Sequence, residues 1–351
     1  MATLTETAYW TRKIIHWGTV CIIALLVFRF LFIGFQKWWV ATHPPPPEAP
    51  RAAFGLLPMQ NFPRSAPGNT DLTYNLQTVD GNTPYLGDRA KVYFMPKPAD
   101  NFLSFKNAEK LVKNLGFTGE SSEISKRLFV WTDSEISYRT IQVDIVSGNF
   151  TLKYDYKADL SIALEKSLPN KEKALGEISQ FLNKIGLPSV DLLSGEAKTT
   201  FLKLTGNQLT QTTSLSEADF VRVDLFRPLL DNLPVFSFDP TQSLVYFIIS
   251  GSTKSAKRFI EIGYTYNPLS DNSSDYYLRS SADAYKELTA GNGYVAKIGD
   301  NNNKINILKI YLAYFEPSEP QTYMQPVYVF EGEKGFFAYV PAIAKEFLNP
   351  Q

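Results

Sequence analysis

Residues 14–35, IIHWGTVCIIALLVFRFLFIGF, are the stretch that sets the architecture of this chain. The run has 22 residues and is almost entirely apolar, and an α-helix needs about 20 such residues to cross the hydrocarbon core of a bilayer. Because indole rings favour the headgroup level, tryptophans at both ends indicate two membrane interfaces. The sequence therefore predicts a transmembrane helix over 14–39, with four interface residues: Trp10, Trp17, Trp38 and Trp39.

The charges beside the run predict its orientation. Arg12 and Lys13 precede it in a short tail, and the positive-inside rule keeps such a tail in the cytoplasm. Lys37 at the far end reduces the asymmetry. The apolar region of a cleaved signal peptide has only about 7 to 15 residues and ends at a small-residue site, unlike this run. We therefore expect a retained signal anchor in the cell membrane, with residues 1–13 cytoplasmic and the bulk of the chain extracytoplasmic.

Arg29 is the charged residue inside the apolar run. A charge at the bilayer centre costs about 2.5 to 3.5 kcal/mol on insertion scales. Trp39 follows ten residues later, which is about 15 Å along a helix, so the Arg29 side chain can extend toward the outer headgroups. The alternative is a polar contact with a partner transmembrane helix. Since the run contains no acid, an ion pair there would require another protein.

The amino-acid composition predicts that the part of the chain after the apolar run is folded and balanced in charge. The whole chain is 44% hydrophobic and 14% aromatic, which is enough for a large core, and the remaining length suits about two compact domains. The formal net charge is zero, which argues against nucleic acid as a partner. The one cysteine, Cys21, lies in the apolar run, so the rest of the chain is not a disulfide-stapled module.

A proline-rich segment follows the anchor. Residues 44–50 read PPPPEAP, and further prolines stand at positions 58, 63 and 67. Consecutive prolines favour the polyproline II conformation, which rises about 3.1 Å per residue. The sequence therefore predicts a stalk over 40–69, with the folded part starting near Thr70. A ligand for a proline-recognising domain is the alternative.

Two helices with the same ending are predicted in the folded part. Apolar residues recur at helical spacing in 104–115 and again in 174–185, and Gly116 and Gly186 follow them directly. In both cases a hydrophobic residue comes after the glycine, as in helices that end with glycine in the left-handed conformation. We expect a repeated arrangement of helix followed by sheet.

The remaining pattern is that of β-strands. Alternating apolar residues over 141–145 and 150–156, on both sides of a turn at 147–149, predict a hairpin. A helix is predicted at 280–288, with Ser280 and Asp283 spaced as a capping box. These segments predict an antiparallel α+β fold with subdomains 70–160 and 170–351, joined near 157–171. The other predicted strands are 201–204, 221–225, 245–249, 259–266, 305–315, 327–330 and 336–340.

The sequence lacks the side chains that several types of catalytic and metal site require. The two histidines, His16 and His43, lie at the membrane edge and in the proline-rich segment, so a Ser-His-Asp triad or a zinc site in the folded part has no imidazole. Two carboxylates could still act as a glycosidase pair. The nearest clusters are Asp133 with Glu135 and Asp271 with Asp275, but turn-forming neighbours suggest roles in the local backbone. We expect no catalytic residue, no metal and no cofactor.

The C-terminal stretch carries a resemblance to a known family. Its parts are AYKEL at 284–288, GYV at 293–295, a long strand at 305–315, PVYVF at 326–330 and FFAYV at 336–340. This order resembles the extracytoplasmic regulators of cell-wall sensor histidine kinases, with PepSY-like repeats, and uncharacterised single-span bacterial envelope proteins. The resemblance covers about the last 70 residues. It implies a non-enzymatic module that binds another protein, and it transfers no site residue.

Together these features predict a single-pass, membrane-anchored extracytoplasmic module of binding or regulatory function. Its expected partners are the lipid bilayer and another envelope protein, and nucleic acid is excluded. One alternative is a cell-wall glycan enzyme that uses two carboxylates. The other is a structural component of a division or secretion assembly, which shares the layout of short tail, anchor and outer domain.

Overall fold

The computed structural model describes residues 4–42, 50–63, 72–187, 190–300 and 303–349. The chain divides into two compact units, Met1–Ala49 and Pro50–Gln351. Within these ranges, the first unit has a single helix and the second has three sheets with a few helices. The fold class is therefore α+β, as the sequence predicts.

The described residues of the first unit form one continuous helix, α1 (Leu4–Thr42). Its segment Tyr9–Trp39 is long and apolar enough to cross a membrane, and within the described residues no other helix passes that test. Polar side chains in the helix bond locally, as when the Thr19 hydroxyl donates to the Ile15 carbonyl oxygen at 2.6 Å. The prediction of an unbroken helix over 14–39 is confirmed.

The second unit has short helices and many strands. The helices are α2 (Ser104–Asn114), α3 (Lys171–Ile185), α4 (Val190–Ser194), α5 (Ser255–Arg258) and α6 (Ser281–Thr289). The strands are β1 (Thr73–Leu76), β2 (Arg89–Phe94), β3 (Ser121–Glu123), β4 (Leu128–Thr132), β5 (Arg139–Asp144), β6 (Phe150–Tyr154), β7 (Ala197–Thr205), β8 (Gln208–Thr212), β9 (Phe220–Leu225), β10 (Val235–Phe236), β11 (Val245–Ser250), β12 (Phe259–Tyr264), β13 (Ser273–Tyr277), β14 (Tyr294–Lys297), β15 (Lys304–Phe315), β16 (Tyr323–Met324), β17 (Pro326–Gly332) and β18 (Phe337–Pro341).

The strands form three sheets. A nine-stranded antiparallel sheet has the order β3-β4-β5-β6-β12-β11-β9-β7-β8. A six-stranded sheet has the order β1-β15-β17-β18-β14, with β10 also on β15, and a three-stranded sheet has the order β13-β2-β16. Within the six-stranded sheet, β1 and β10 pair with β15 in parallel, and the other pairs are antiparallel.

The nine-stranded sheet joins segments that the sequence assigns to different subdomains. β6 belongs to the predicted subdomain 70–160 and β12 to the predicted subdomain 170–351, yet they pair directly, with Leu152 opposite Ile262. β1 likewise pairs with β15, more than 200 residues later in the chain. The predicted division near 157–171 therefore does not separate the sheets.

One face of the nine-stranded sheet is buried from solvent because α2 and α3 pack on it. The helices contribute Ala108, Leu111, Ile178 and Leu182, and the sheet contributes alternate residues of its neighbouring strands β4, β5, β6, β12, β11 and β9. The predicted hairpin is present as β5 and β6, with Ile141 opposite Leu152. This core positions the ends of both helices, which border the candidate site described below.

Both helices end on a left-handed glycine, as predicted. Gly116 has φ 83° and Gly186 has φ 74°. The Phe117 N–H donates to the Val112 carbonyl oxygen at 3.1 Å, and the Leu187 N–H donates to the Leu182 carbonyl oxygen at 3.1 Å. These bonds span five residues and satisfy carbonyl groups that the helix ends leave free.

Replacing Gly116 or Gly186 by valine is expected to lower the free energy of unfolding by about 1 to 2 kcal/mol, because a β-branched side chain is strained in the left-handed region. A Cβ at either glycine meets no atom within 4 Å, so the backbone alone sets this cost. Denaturant titration measures it. Gly176, inside α3 and without neighbours within 4 Å, is the control, since valine there is expected to be neutral or slightly stabilising. Equal effects at all three positions would contradict the prediction.

Residues 50–63, which the sequence assigns to the stalk, are instead packed on the second unit. Leu57 is fully buried, its N–H donates to the Phe347 carbonyl oxygen at 2.8 Å, and its own carbonyl accepts from Asn349 N at 2.8 Å. The Phe62 ring stacks on Tyr294, with 5.3 Å between ring centroids. The folded part therefore starts at residue 50 and not near Thr70, and the stalk prediction is wrong for 50–63. Residues 43–49 and 64–71 lie outside the described residues.

A buried arginine ties the nine-stranded sheet to the six-stranded sheet. Arg227 follows β9, and its Nε donates to Oε1 of Glu316, which follows β15, at 2.6 Å. The guanidinium carbon also lies 4.4 Å from the centroid of the Tyr266 ring. Burial raises the pKa of Glu316, and the neighbouring Arg227 charge partly offsets that rise. This pair fixes how the two sheets meet within the second unit.

Candidate functional site

A cleft of about 440 Å³ lies where the end of α2, one face of α3 and the short helix α5 before β12 meet. Its apolar lining comes from both helices and from the sheet, namely Leu115, Ile136, Leu152, Phe181, Ile185 and Phe259. Its polar and charged lining is Asn114, Thr118, Asp133, Glu135, Arg139, Glu177, Gln180, Lys184, Ser255 and Arg258. A concave site that combines apolar walls with polar groups is typical of binding sites, and here the polar and charged residues outnumber the apolar ones.

The first ion pair of the cleft joins Asp133 to Arg139. Both side chains are only 7% exposed, and Arg139 Nη1 lies 2.7 Å from Asp133 Oδ2. The other carboxylate oxygen of Asp133 accepts from the N–H groups of Glu135 at 2.9 Å and Ile136 at 3.3 Å. Asp133 therefore holds the turn between β4 and β5, a use of aspartate that is common in turns.

Arg139 also closes the end of α2. Its Nη2 donates to the Leu115 carbonyl oxygen at 3.0 Å, and its guanidinium carbon lies 4.1 Å from the centroid of the Phe117 ring. Arginine near a helix C-terminus satisfies free carbonyl groups and interacts favourably with the helix dipole. The Nε atom of Arg139 is buried without a hydrogen-bond partner.

The second ion pair joins Glu177 of α3 to Arg258, the last residue of α5, directly before β12. The contact is bidentate, with Arg258 Nε 2.8 Å from Glu177 Oε2 and Nη2 2.8 Å from Oε1. Arg258 Nη1 donates to the carbonyl oxygens of Ser167 at 3.1 Å and Ser250 at 2.6 Å. This arginine therefore fastens α3 to the sheet and to the chain that precedes α3.

Two charged residues of the cleft stand outside these pairs. Glu135 and Lys184 are exposed, and in the described part of the chain neither side chain makes a hydrogen bond or an ion pair. The cleft thus offers one free carboxylate and one free ammonium group beside an apolar lining. Such groups can orient a bound molecule, while the two arginine pairs hold the walls in place.

The structure separates the two carboxylate clusters that the sequence singles out. Asp133 and Glu135 follow β4 of the nine-stranded sheet and line the cleft. Asp275 lies in β13 of the three-stranded sheet, opposite Lys91, so the expectation that it belongs to a turn is wrong. Asp271 precedes the same strand. The four acids therefore do not form one site.

The other predicted site residues lie on α1. Trp10, Trp17, Trp38 and Trp39 are between 50% and 61% exposed, and Arg29 is exposed as well. Their roles at a membrane interface or in a transmembrane contact stay predictions. Within the described ranges, no group of three or more His, Cys, Asp and Glu side chains is arranged to hold a metal ion.

Sequence reasoning missed Glu177, Lys184 and Arg258 as cleft residues. Glu177 and Arg258 are 81 positions apart, and no local pattern links them. Arg139 did carry a signal, because it has the same strand parity as the buried residues Ile141 and Val143. An arginine on the inward face of a strand needs a buried acceptor, and Asp133 is the nearest one in sequence.

Comparisons with known proteins find only distant similarity. No family model matches the sequence, and no curated protein matches it. An uncharacterized protein from Eubacterium rectale is similar in structure, with a TM-score of 0.39 and 13% identity over 76% of this chain and 86% of that chain. The YpeB C-terminal domain of Bacillus megaterium has a TM-score of 0.28 and 9% identity over 71% of this chain and 95% of that chain. At these values the similarities assign no role to any residue.

Proposed function

We propose that this protein is a single-pass, membrane-anchored extracytoplasmic module that binds a segment of another envelope protein and catalyses no reaction. The apolar helix Tyr9–Trp39 supports membrane anchoring. Arg12 and Lys13 before it support an extracytoplasmic second unit. The resemblance of the last 70 residues to extracytoplasmic regulators with PepSY-like repeats supports a regulatory role.

The observation that carries the binding proposal is the state of the charges in the cleft. Asp133 and Glu177 are each held by an arginine at 2.7 to 2.8 Å. A general acid or base must reach the proton that it transfers, and these two carboxylates are already committed to structural contacts. The apolar lining and the free Glu135 and Lys184 are better suited to hold a peptide segment with a few polar anchors.

Site-specific photo-cross-linking in the full chain tests the binding proposal. A photoreactive residue at Gln180, which lines the cleft, is expected to cross-link one envelope protein in intact cells. The matched control position is Lys286 of α6, which is 77% exposed in its side chain and outside the cleft.

Charge variants test whether the cross-linked protein is bound in the cleft. K184E and E135K are expected to reduce the cross-link at Gln180 strongly, whereas K286E leaves it unchanged. A cross-link of equal strength at Gln180 and Lys286, or one that both cleft variants leave intact, would contradict the proposal.

Reporter fusions after Gln351 test the orientation of the chain. A reporter that is active only outside the cytoplasm is expected to work there, because Arg12 and Lys13 favour a cytoplasmic position for the end of the helix that they flank. Activity of a cytoplasmic-only reporter at the same position would overturn the orientation without touching the proposal about the cleft.

A carboxylate-dependent glycan enzyme is the second candidate, and one observation favours it. Glu135 is free of ion pairs in the described part of the chain and lines the same cleft as Glu177. Glycoside hydrolysis uses two such groups, although Glu177 would first have to leave Arg258. Cleavage of purified cell-wall glycan by the full chain, lost in E135Q and retained in E172Q on the exposed start of α3, would support the enzyme.

A further inference from the structure

A second surface of the second unit has two unusual properties. We call it the α2 patch, formed by Phe102, Leu103, Lys106, Lys110 and Lys113. Phe102 is fully exposed, with a relative accessibility of 106%, and Leu103 is 57% exposed. Burying a side chain of this size is worth about 1.5 to 3 kcal/mol, so the isolated unit forgoes this stabilisation at Phe102.

The turn before α2 holds these two apolar side chains at its tip. The Asn101 side-chain oxygen accepts from Leu103 N at 2.8 Å, and the Ser104 hydroxyl oxygen accepts from Asn101 N at 3.1 Å. In the helix that follows, Ala108, Leu111 and Val112 are buried in the core. The backbone of this turn is therefore fixed by local hydrogen bonds. Its conformation does not depend on packing of the Phe102 side chain in the core.

Three lysines of α2 lie on its exposed side. Lys106, Lys110 and Lys113 follow the helical spacing i, i+4 and i+7, all are exposed, and in the described part of the chain none makes an ion pair. The nearby acids are Asp100 and Glu109.

A groove of about 470 Å³ beside the helix adds one more charge. It is lined by Lys110 and by Lys184 of α3, and none of its lining residues is acidic. The surface around α2 therefore has an excess of positive charge next to an apolar tip.

We propose that the α2 patch is a membrane-contact surface, in which Phe102 and Leu103 enter the headgroup layer of an anionic phospholipid bilayer and the three lysines lie over its phosphates. Peripheral segments bind bilayers through this combination of a few apolar side chains and basic residues. A stable protein interface needs about 800 Å² on each partner, which is more than two apolar side chains provide. The chain itself supplies the reason for a bilayer, because it carries a helix that can span one.

The test uses the full chain in lipid nanodiscs. An environment-sensitive fluorophore is attached to N107C, at an exposed position of α2 one turn after Leu103, in a C21S background, which leaves one thiol. Acrylamide quenching is compared between phosphatidylcholine discs and discs that contain phosphatidylglycerol. We expect a blue-shifted emission and weaker quenching in the anionic discs, with both effects reduced by salt.

Variants separate the two contributions to the contact. F102S/L103S is expected to abolish the blue shift. Each lysine near an anionic surface is worth about 1 kcal/mol, or about fivefold in an equilibrium, so K106Q/K110Q/K113Q is expected to weaken the contact on the order of 100-fold. The matched control is V79S/Y85S, which removes two other exposed apolar side chains, of 102% and 85% exposure, and leaves the signal unchanged.

Three results would overturn the proposal. The first is equal quenching in both kinds of disc. The second is a blue shift that the lysine variant leaves intact. The third is protection that appears only with an added acidic protein or at high protein concentration, since it would identify a protein partner or a second copy. Loss of the cross-link at Gln180 in E135K concerns the cleft alone, because Glu135 does not line the groove that holds Lys110 and Lys184.

Discussion

Deleting residues 50–63 is expected to prevent the second unit from folding cooperatively. The segment is pinned at several points: Phe54 N donates to the Tyr276 hydroxyl oxygen at 3.0 Å, and that hydroxyl donates to the Gly55 carbonyl oxygen at 3.0 Å. Leu57 shares a fully buried cluster with Val92, Tyr276 and Ile343. A fragment of residues 64–351 would expose that cluster to water, whereas a fragment of residues 50–351 keeps it covered. Thermal unfolding of the two fragments, followed by circular dichroism, measures the difference.

Single substitutions in the 50–351 fragment locate the effect within the segment. Leu57→Ala is expected to cost about 2 to 5 kcal/mol, because it leaves a cavity in a buried site. Leu56→Ala is the matched control, since Leu56 is 52% exposed and surface substitutions stay within about 0.5 kcal/mol. A cooperative transition of undiminished midpoint for 64–351, or equal costs for the two leucines, would show that residues 50–63 are a stalk after all.

The sequence predicted those elements whose signals are local. α2 and α3 each present an apolar stripe of helical period, and Gly116 and Gly186 end them in the left-handed conformation because no other residue adopts it as easily. The Ser280 hydroxyl oxygen accepts from Asp283 N at 3.1 Å, as in the predicted capping box. In each case residues within a few positions of one another determine the geometry.

The errors concern contacts between distant parts of the chain. Proline content suggested a stalk at 50–63, but Tyr276 and Phe347 hold this segment from more than 200 positions away. Likewise, β6 pairs with β12 across the predicted subdomain boundary. Strand alternation shows which face of a strand is buried, but it does not show which strand lies beside it.

The candidate site was predictable to the same limited extent. Asp133 and Glu135 were identified as a cluster, and the structure places both in the cleft. Their context was missed, because Glu177 and Arg258 reach the cleft from other parts of the chain. Among the residues that were missed, Arg139 alone had a local sequence signal, namely its position on the inward face of β5. The stability of the cleft walls depends on this residue.

Replacing Arg139 by methionine is expected to lower the free energy of unfolding by about 3 to 5 kcal/mol. The substitution leaves the Asp133 carboxylate, only 7% exposed, buried without its cation, and breaking a buried pair from one side has a cost of this size. It also frees the Leu115 carbonyl oxygen at the end of α2. Denaturant titration of the 50–351 fragment measures the change.

A double-mutant cycle separates the buried charge from lost packing. In R139M/D133N the amide oxygen can still accept from Glu135 N and Ile136 N, but no charge is left buried, so most of the lost stability should return. Lys286→Met is the surface control, because the Lys286–Asp283 pair is 77% and 59% exposed and such pairs contribute at most about 1 kcal/mol. If R139M costs no more than K286M, or if the double variant is as unstable as R139M, the Asp133 charge does not depend on Arg139. The pair would then not count as a structural contact that commits Asp133, and the main argument against a catalytic carboxylate beside Glu135 in this cleft would be lost, which favours the glycan enzyme over the binding module.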